Sequence, residues 1–186
     1  FPKINKVKID NDTLEYKTGG LEYVTKYLNI LRKDFGSSRV LYFDGGDFYQ
    51  GGIDSVLFDG EIMVDFYNLI GINGTTIGNH EFDYGMDRFL ELTEMADYPY
   101  ISCNFNHKGD PVFPSYLIKE VNGIRIGFVG ITTPKTITSS TPKYFMDESG
   151  EYVYDFMADE SGEKLYDQVQ KAVDDARREG ADLIYT

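Results

Sequence analysis

Apolar residues at Leu21, Val24, Leu28 and Leu31 recur at helical spacing, and Gly36-Ser37-Ser38 closes the stretch they predict as a helix. The preceding residues, 1–19, are polar without sustained periodicity and are expected to form a long loop. Val40-Leu41-Tyr42-Phe43 is a short apolar run bounded by turn residues, the pattern of a buried strand, and it leads into Asp44-Gly45-Gly46-Asp47. A second helix is predicted over Glu61 to Ile70, with Ile62, Met63, Phe66 and Ile70 apolar and Gly71 as its stop. Thr75-Thr76-Ile77 reads as another strand, Met86 to Ala96 as a third helix, and Tyr100 to Cys103 as a further strand. Tyr116 to Val121 and Ile124 to Val129 flank Asn122-Gly123, which marks a β-hairpin with a two-residue turn. Residues 131–158 are turn-rich and aromatic, with a second hairpin expected around Ser149-Gly150. Leu165, Val169, Val173 and Ala176 define a last helix over Glu163 to Glu179, with Gly180 behind it and a strand beginning in Ala181 to Thr186.

Strands alternating with helices predict an α/β domain with a largely parallel sheet, whose ligand site lies outside the carboxyl ends of the strands. Polar clusters sit at three such ends: Asp47, then Asn79 and His80, then Asn104. These are expected to converge.

The chain has 186 residues, 41% of them hydrophobic, which is enough for a packed core and excludes a disordered acidic tail. Its 18 Lys and Arg against 31 Asp and Glu leave a net charge of −13, which argues against a nucleic-acid backbone as partner. No apolar run approaches the roughly 20 residues of a membrane-spanning helix. An acidic chain that handles phosphate needs some other source of positive charge, and bound metal ions are the usual one. The single cysteine, Cys103, ends an apolar stretch and is expected to be a small buried hydrophobe. Phe1-Pro2-Lys3-Ile4 has neither signal-peptide nor transit-peptide character, and the absence of an initial Met points to a processed chain or an excised piece.

Gly45-Gly46-Asp47-Phe48-Tyr49-Gln50-Gly51-Gly52 places a carboxylate in a glycine-flanked turn, the kind of backbone that can wrap an ion or a phosphate. A plainer reading makes it a strand-to-helix turn whose Asp caps its neighbours. In Gly78-Asn79-His80-Glu81-Phe82-Asp83, Asn79 offers a neutral amide oxygen to a metal, and His80 can donate a hydrogen bond or a proton to an oxyanion. Asp83, three residues beyond His80, can hold the imidazole in one tautomer and raise its basicity. The plainer reading is a structural histidine in an ordinary turn. The two clusters lie about thirty residues apart across a strand–helix–strand segment.

Gly46-Asp47-x-x-Gln50-Gly51, followed by Gly78-Asn79-His80-Glu81-Phe82-Asp83-x-Gly85, resembles the bacterial 5′-nucleotidase branch of the calcineurin-like metallophosphoesterases. The similarity runs from Gly19-Gly20 onward and includes Gly130-Ile131-Thr132-Thr133-Pro134. The resemblance implies a four-layer α/β/β/α sandwich that holds two divalent metal ions (Mn, Zn, Mg or Fe). It also implies hydrolysis of phosphate esters by a metal-bound hydroxide, with a nucleotide or another small phosphate ester as substrate. Asp47 then matches the carboxylate bridging two metals, Asn79 an amide ligand, His80 the group that stabilises the transferring phosphoryl, and Asp83 its dyad partner. Gln50 and Asn104 lie near these motifs and are not assigned as ligands. The same resemblance implies an extracytoplasmic location, in periplasm or cell wall or secreted.

Members of that family begin with an Asp-x-His upstream of Gly19-Gly20 and supply further histidines after the strand that Asp182 to Thr186 starts. Neither is present, and the two histidines of the chain are His80 and His107, the latter expected in an exposed turn. Residues 1–186 are therefore expected to be a partial N-terminal metallophosphoesterase domain, incomplete at both ends. Residues 1–19 would follow a missing first strand, and the nucleoside-binding domain would be absent. The partner of this chain would then be the rest of the same polypeptide or a companion fragment, and the chain alone would be inactive. Two other readings stay open: a degenerate relative kept as a surface module, and an acidic cation-binding module without catalysis. The last would use carboxylates such as Asp147, Glu148, Asp155 and Asp159, which lack EF-hand spacing.

Overall fold

A computed structural model describes residues 3–9 and 12–186. They fall into two compact units that divide between Leu41 and Tyr42. In the first, β1 (Lys3–Ile9) and β2 (Asp12–Thr18) pair antiparallel with Val7 opposite Leu14, and helix α1 (Leu21–Phe35) follows. The pairing corrects the loop expected over residues 1–19, of which 1, 2, 10 and 11 lie outside the described residues. Strand β2 is exposed along its whole length, so no buried face imposes a two-residue hydrophobic period. The backbone ladder and cross-strand pairs such as Lys6–Glu15 hold it instead.

The second unit carries the rest. Strand β3 (Phe43–Asp44) leads to α2 (Ile53–Leu57) and α3 (Glu61–Ile70), then to β4 (Gly74–Thr75) and α4 (Met86–Met95). Short strands β5 (Asn106–His107) and β6 (Asp110–Pro111) precede the hairpin β7 (Tyr116–Val121) and β8 (Ile124–Val129). After these come α5 (Thr136–Ser139), β9 (Tyr154–Asp155), α6 (Glu163–Arg178) and β10 (Leu183–Tyr185). The class is α/β, as the alternation predicts. Pairing is parallel between β3 and β4 and between β8 and β10, and antiparallel between β7 and β8. Asn122 and Gly123 both take positive φ, 53° and 81°, which gives the hairpin the turn twist its strands require.

Two predicted strands shrink. Val40 to Phe43 and Thr75 to Ile77 contribute only the two-residue strands β3 and β4. Tyr100 to Cys103 is not a strand: a single parallel bridge joins Tyr100 to Thr75. Its backbone changes partner at each step, with Ile101 N–H bonded to Thr75 O, Ser102 N–H to Pro114 O and Cys103 N–H to Gly130 O. His107, expected in a turn, lies in β5 and remains exposed, with its ring stacked on Tyr154 at 4.4 Å between centroids. The turn falls instead at Lys108 and Gly109.

The core is aromatic. Phe82, Phe89, Phe105, Phe145 and Phe156 are fully buried, and Phe82 packs on Phe89 at 4.7 Å and on Phe145 at 5.0 Å. Helix α3 contributes Val64, Tyr67 and Ile70, and α4 contributes Met86, Phe89 and Leu92, each set on one helical face. Cys103 is buried as expected, and its surroundings push the thiol up to about 11. Among the described residues no helix is long and apolar enough to cross a membrane.

Candidate active site

The two motif loops leave the ends of the parallel pair β3–β4 and lock together. The Asp44 carboxylate shapes the first: its Oδ1 accepts from Gly46 N–H at 2.9 Å and its Oδ2 from the Tyr67 hydroxyl at 2.7 Å. Burial raises the Asp44 carboxyl above its ordinary range, and the two hydrogen bonds oppose that rise. The turn then sets Asp47 at φ 65°, a left-handed backbone that non-glycine residues seldom take. Such an outlier persists only where its surroundings enforce it. Here they do. The Asp47 N–H donates to Glu81 Oε2 at 2.7 Å, and Asp47 Oδ1 accepts the His80 N–H at 3.0 Å.

The second loop presents Asn79 and His80 at the start of a short 3₁₀ turn over His80–Phe82. The Asn79 side chain makes no capping hydrogen bond there, so its amide is not spent on the turn. His80 Nδ1 lies 2.8 Å from Asp83 Oδ2, with the histidine side chain 42% exposed and the aspartate 20%. The hydrogen bond to Asp83 raises the His80 pKa above its ordinary value, and burial works against that rise. An Nδ1–H donated to Asp83 fixes the tautomer and leaves Nε2 as the ring's other functional nitrogen.

The structure therefore joins Asp47, His80 and Asp83 through direct hydrogen bonds, with Asn79 next in chain to His80. The Asn104 amide has another place. It is fully buried, donates to Thr132 O at 2.7 Å and Phe156 O at 2.9 Å, and accepts from Thr132 N–H at 2.9 Å. The strand ends that carry Asp47 and His80 meet through a direct hydrogen bond, and the Asn104 amide ties residues 132 and 156 together. Asn104→Ala is expected to cost about 2–4 kcal/mol in urea unfolding, since it strands buried backbone groups. An unchanged unfolding midpoint would contradict this. Gln50 is exposed.

Residue-type reasoning overlooked Glu81 and Asp44. Glu81 lies inside the quoted motif, yet nothing in spacing alone tells a buried carboxylate from an exposed one. Three of the four carboxylates considered as a separate cation site serve local turns. Asp147 accepts from Ser149 and Glu151, Asp155 from Met157 N–H, and Asp159 from Ser161, Gly162 and Lys164. Among the described residues, no group of three or more His, Cys, Asp or Glu side chains is placed to hold a metal ion.

A 5′-nucleotidase from the venom of Gloydius brevicauda is 36% identical over 118 residues, covering 59% of this chain and 20% of that protein. Protein UshA of Salmonella pullorum is 32% identical over 137 residues, covering 72% of this chain and 25% of that one. The solved NAD nucleotidase of Haemophilus influenzae superposes with a TM-score of 0.77 at 25% identity, over 99% of this chain and 31% of its own. This chain belongs to the 5′-nucleotidase family. A calcineurin-like phosphoesterase, YfkN of Bacillus subtilis, shares the fold at TM-score 0.69 and 22% identity, over 91% of this chain and 54% of that one. No family model matches the chain. The chain spans about a fifth to a quarter of the length of the curated relatives it matches. The 5′-nucleotidase motif is thus set in the calcineurin-like phosphoesterase fold, as a partial domain.

Proposed function

We propose that the complete protein is a metal-dependent phosphoric monoester hydrolase of the 5′-nucleotidase type, with a nucleotide or another small phosphate ester as substrate. The observation that carries this reading is the linkage of Asp47 to the His80 backbone and of the His80 ring to Asp83. Asp47 and Asn79 supply oxygen donors suited to Mn²⁺, Zn²⁺, Mg²⁺ or Fe, and they fit part of a site for two such ions. The remaining donors come from outside the described residues, in the same polypeptide or a companion chain. When bound, the ions neutralise phosphate charge and activate water.

This chain's own residues do the rest. Asp47 and Asn79 hold and orient, and the bond from the Asp47 N–H to Glu81 fixes the Asp47 backbone. His80, oriented by Asp83, presents Nε2 to the phosphoryl oxygens and donates a hydrogen bond as charge builds on them. The raised His80 pKa favours the protonated ring that such donation needs. Location outside the cytoplasm accords with the family resemblance.

The test is a Mn²⁺ titration of the complete protein and its Asp47→Asn variant, with AMP hydrolysis measured alongside. The wild type is expected to release phosphate only with the ion present. Asp47→Asn should weaken Mn²⁺ binding by about 10–100-fold. Equal binding by both proteins would remove Asp47 from the site and return the acidic cation-binding reading to first place.

A further inference from the structure

Glu81 is 1% exposed, an extreme position for a carboxylate. Its Oε2 accepts the Asp47 N–H at 2.7 Å and the Gly78 N–H at 2.6 Å, while its Oε1 accepts the Phe48 N–H at 2.8 Å. Two of these donors belong to the loop after β3 and one to the loop after β4. The loops touch closely around this point: a Cβ on Gly46 would fall 2.4 Å from Gly78 N, and one on Gly78 would fall 2.2 Å from Asp47 Oδ1. A buried carboxylate without such partners would be costly, so the three N–H groups and the anion hold one another in place.

We infer that Glu81 is a positioning residue: its buried carboxylate gathers the Asp47, Phe48 and Gly78 amides and so sets the Asp47 carboxylate against the His80 loop. It does not touch substrate, because both of its oxygens already accept backbone hydrogen bonds inside the protein. Its charge and shape both matter. A glutamine in its place has one oxygen for three donors, and its amide nitrogen must face at least one N–H. The consequence falls on Asp47 directly, since the amide that Glu81 holds is Asp47's own and the φ it enforces is the strained one. The inference rests on the reading of Asp47 and Asn79 as ion ligands.

The experiment compares the complete wild-type protein with Glu81→Gln, using three readouts well below the unfolding temperature. Amide hydrogen exchange at Asp47, Phe48 and Gly78 is expected to be slow in the wild type and about tenfold or more faster in the variant. Mn²⁺ affinity should fall by about 10–100-fold. Turnover of AMP should fall on the order of 10²-fold in kcat, with KM within about threefold. A merely structural Glu81 would lower the unfolding temperature and leave Mn²⁺ affinity and kcat unchanged, and that result would overturn the inference. So would fast exchange of the three amides in the wild type, a measurement that needs no variant. Should Glu81→Gln fail to fold, Glu81→Asp keeps the charge on a shorter stem and is expected to lose Mn²⁺ affinity in part. Wild-type affinity in that variant would be equally fatal. If the wild type binds Mn²⁺ but releases no phosphate, the hydrolase reading fails, and the exchange and binding readouts still decide the role of Glu81.

Discussion

Gly46→Ala is expected to destabilise the protein by about 3 kcal/mol or more, as the cost of a left-handed backbone adds to that of overpacking. Gly46 sits at φ 90°, and a Cβ there would lie 2.4 Å from Gly78 N and 2.8 Å from Ile77 C. Both neighbours are backbone atoms of the other motif loop, so no side-chain rotation can relieve the clash. The neighbouring Gly45 provides the control, because a Cβ there meets nothing within 4 Å and its φ lies outside the left-handed range. Gly45→Ala should therefore stay within roughly 0.5 kcal/mol of wild type. Urea unfolding of the two variants checks the pair. Equal, mild effects would mean that the two loops are not interlocked at Gly46.

The second large effect concerns turnover. His80→Asn in the complete protein is expected to reduce kcat for a nucleotide monophosphate by about 10²–10⁴-fold, the range ascribed to a positioned proton donor. The fold should survive, because the imidazole is 42% exposed and the backbone bond from His80 N–H to Asp47 does not involve the ring. Asp83→Asn should be milder, on the order of tenfold, since it removes only the partner that orients the ring. Steady-state kinetics with the far-ultraviolet spectrum as a fold control separates these outcomes. Wild-type kcat in His80→Asn would remove His80 from the chemistry.

Gly46 and His80 act at different depths. Gly46 determines whether the loops can approach at all, and His80 acts only once they have done so. Between them lies Glu81, which converts the approach into one geometry for Asp47.

The helices were legible from residue order, but the buried face of α3 was not: Ile62, Met63, Phe66 and Ile70 were the expected stripe, whereas Val64, Tyr67 and Ile70 are buried and Ile62 is exposed. The Asn122-Gly123 hairpin was legible because its turn chemistry is local. So were the pairing of His80 with Asp83, three residues apart, and the family, through the motif around Asn79 and His80. The exposed β1–β2 pair was not, since strands without a buried face leave no periodic mark. Nor was the breaking of the Tyr100–Cys103 segment among several partners, which depends on where residues 75, 114 and 130 arrive.

The same division holds within the site. Local order placed Asp47 in a glycine turn and Asn79 and His80 in the next loop, because turns and short-range hydrogen bonds depend on neighbours in the chain. That Asn104 serves Thr132 and Phe156, and that Glu81 is buried and holds Asp47 from 34 residues away, was decided by packing. A carboxylate has the same formula in either setting. Only the fold determines whether water or three backbone amides surround it.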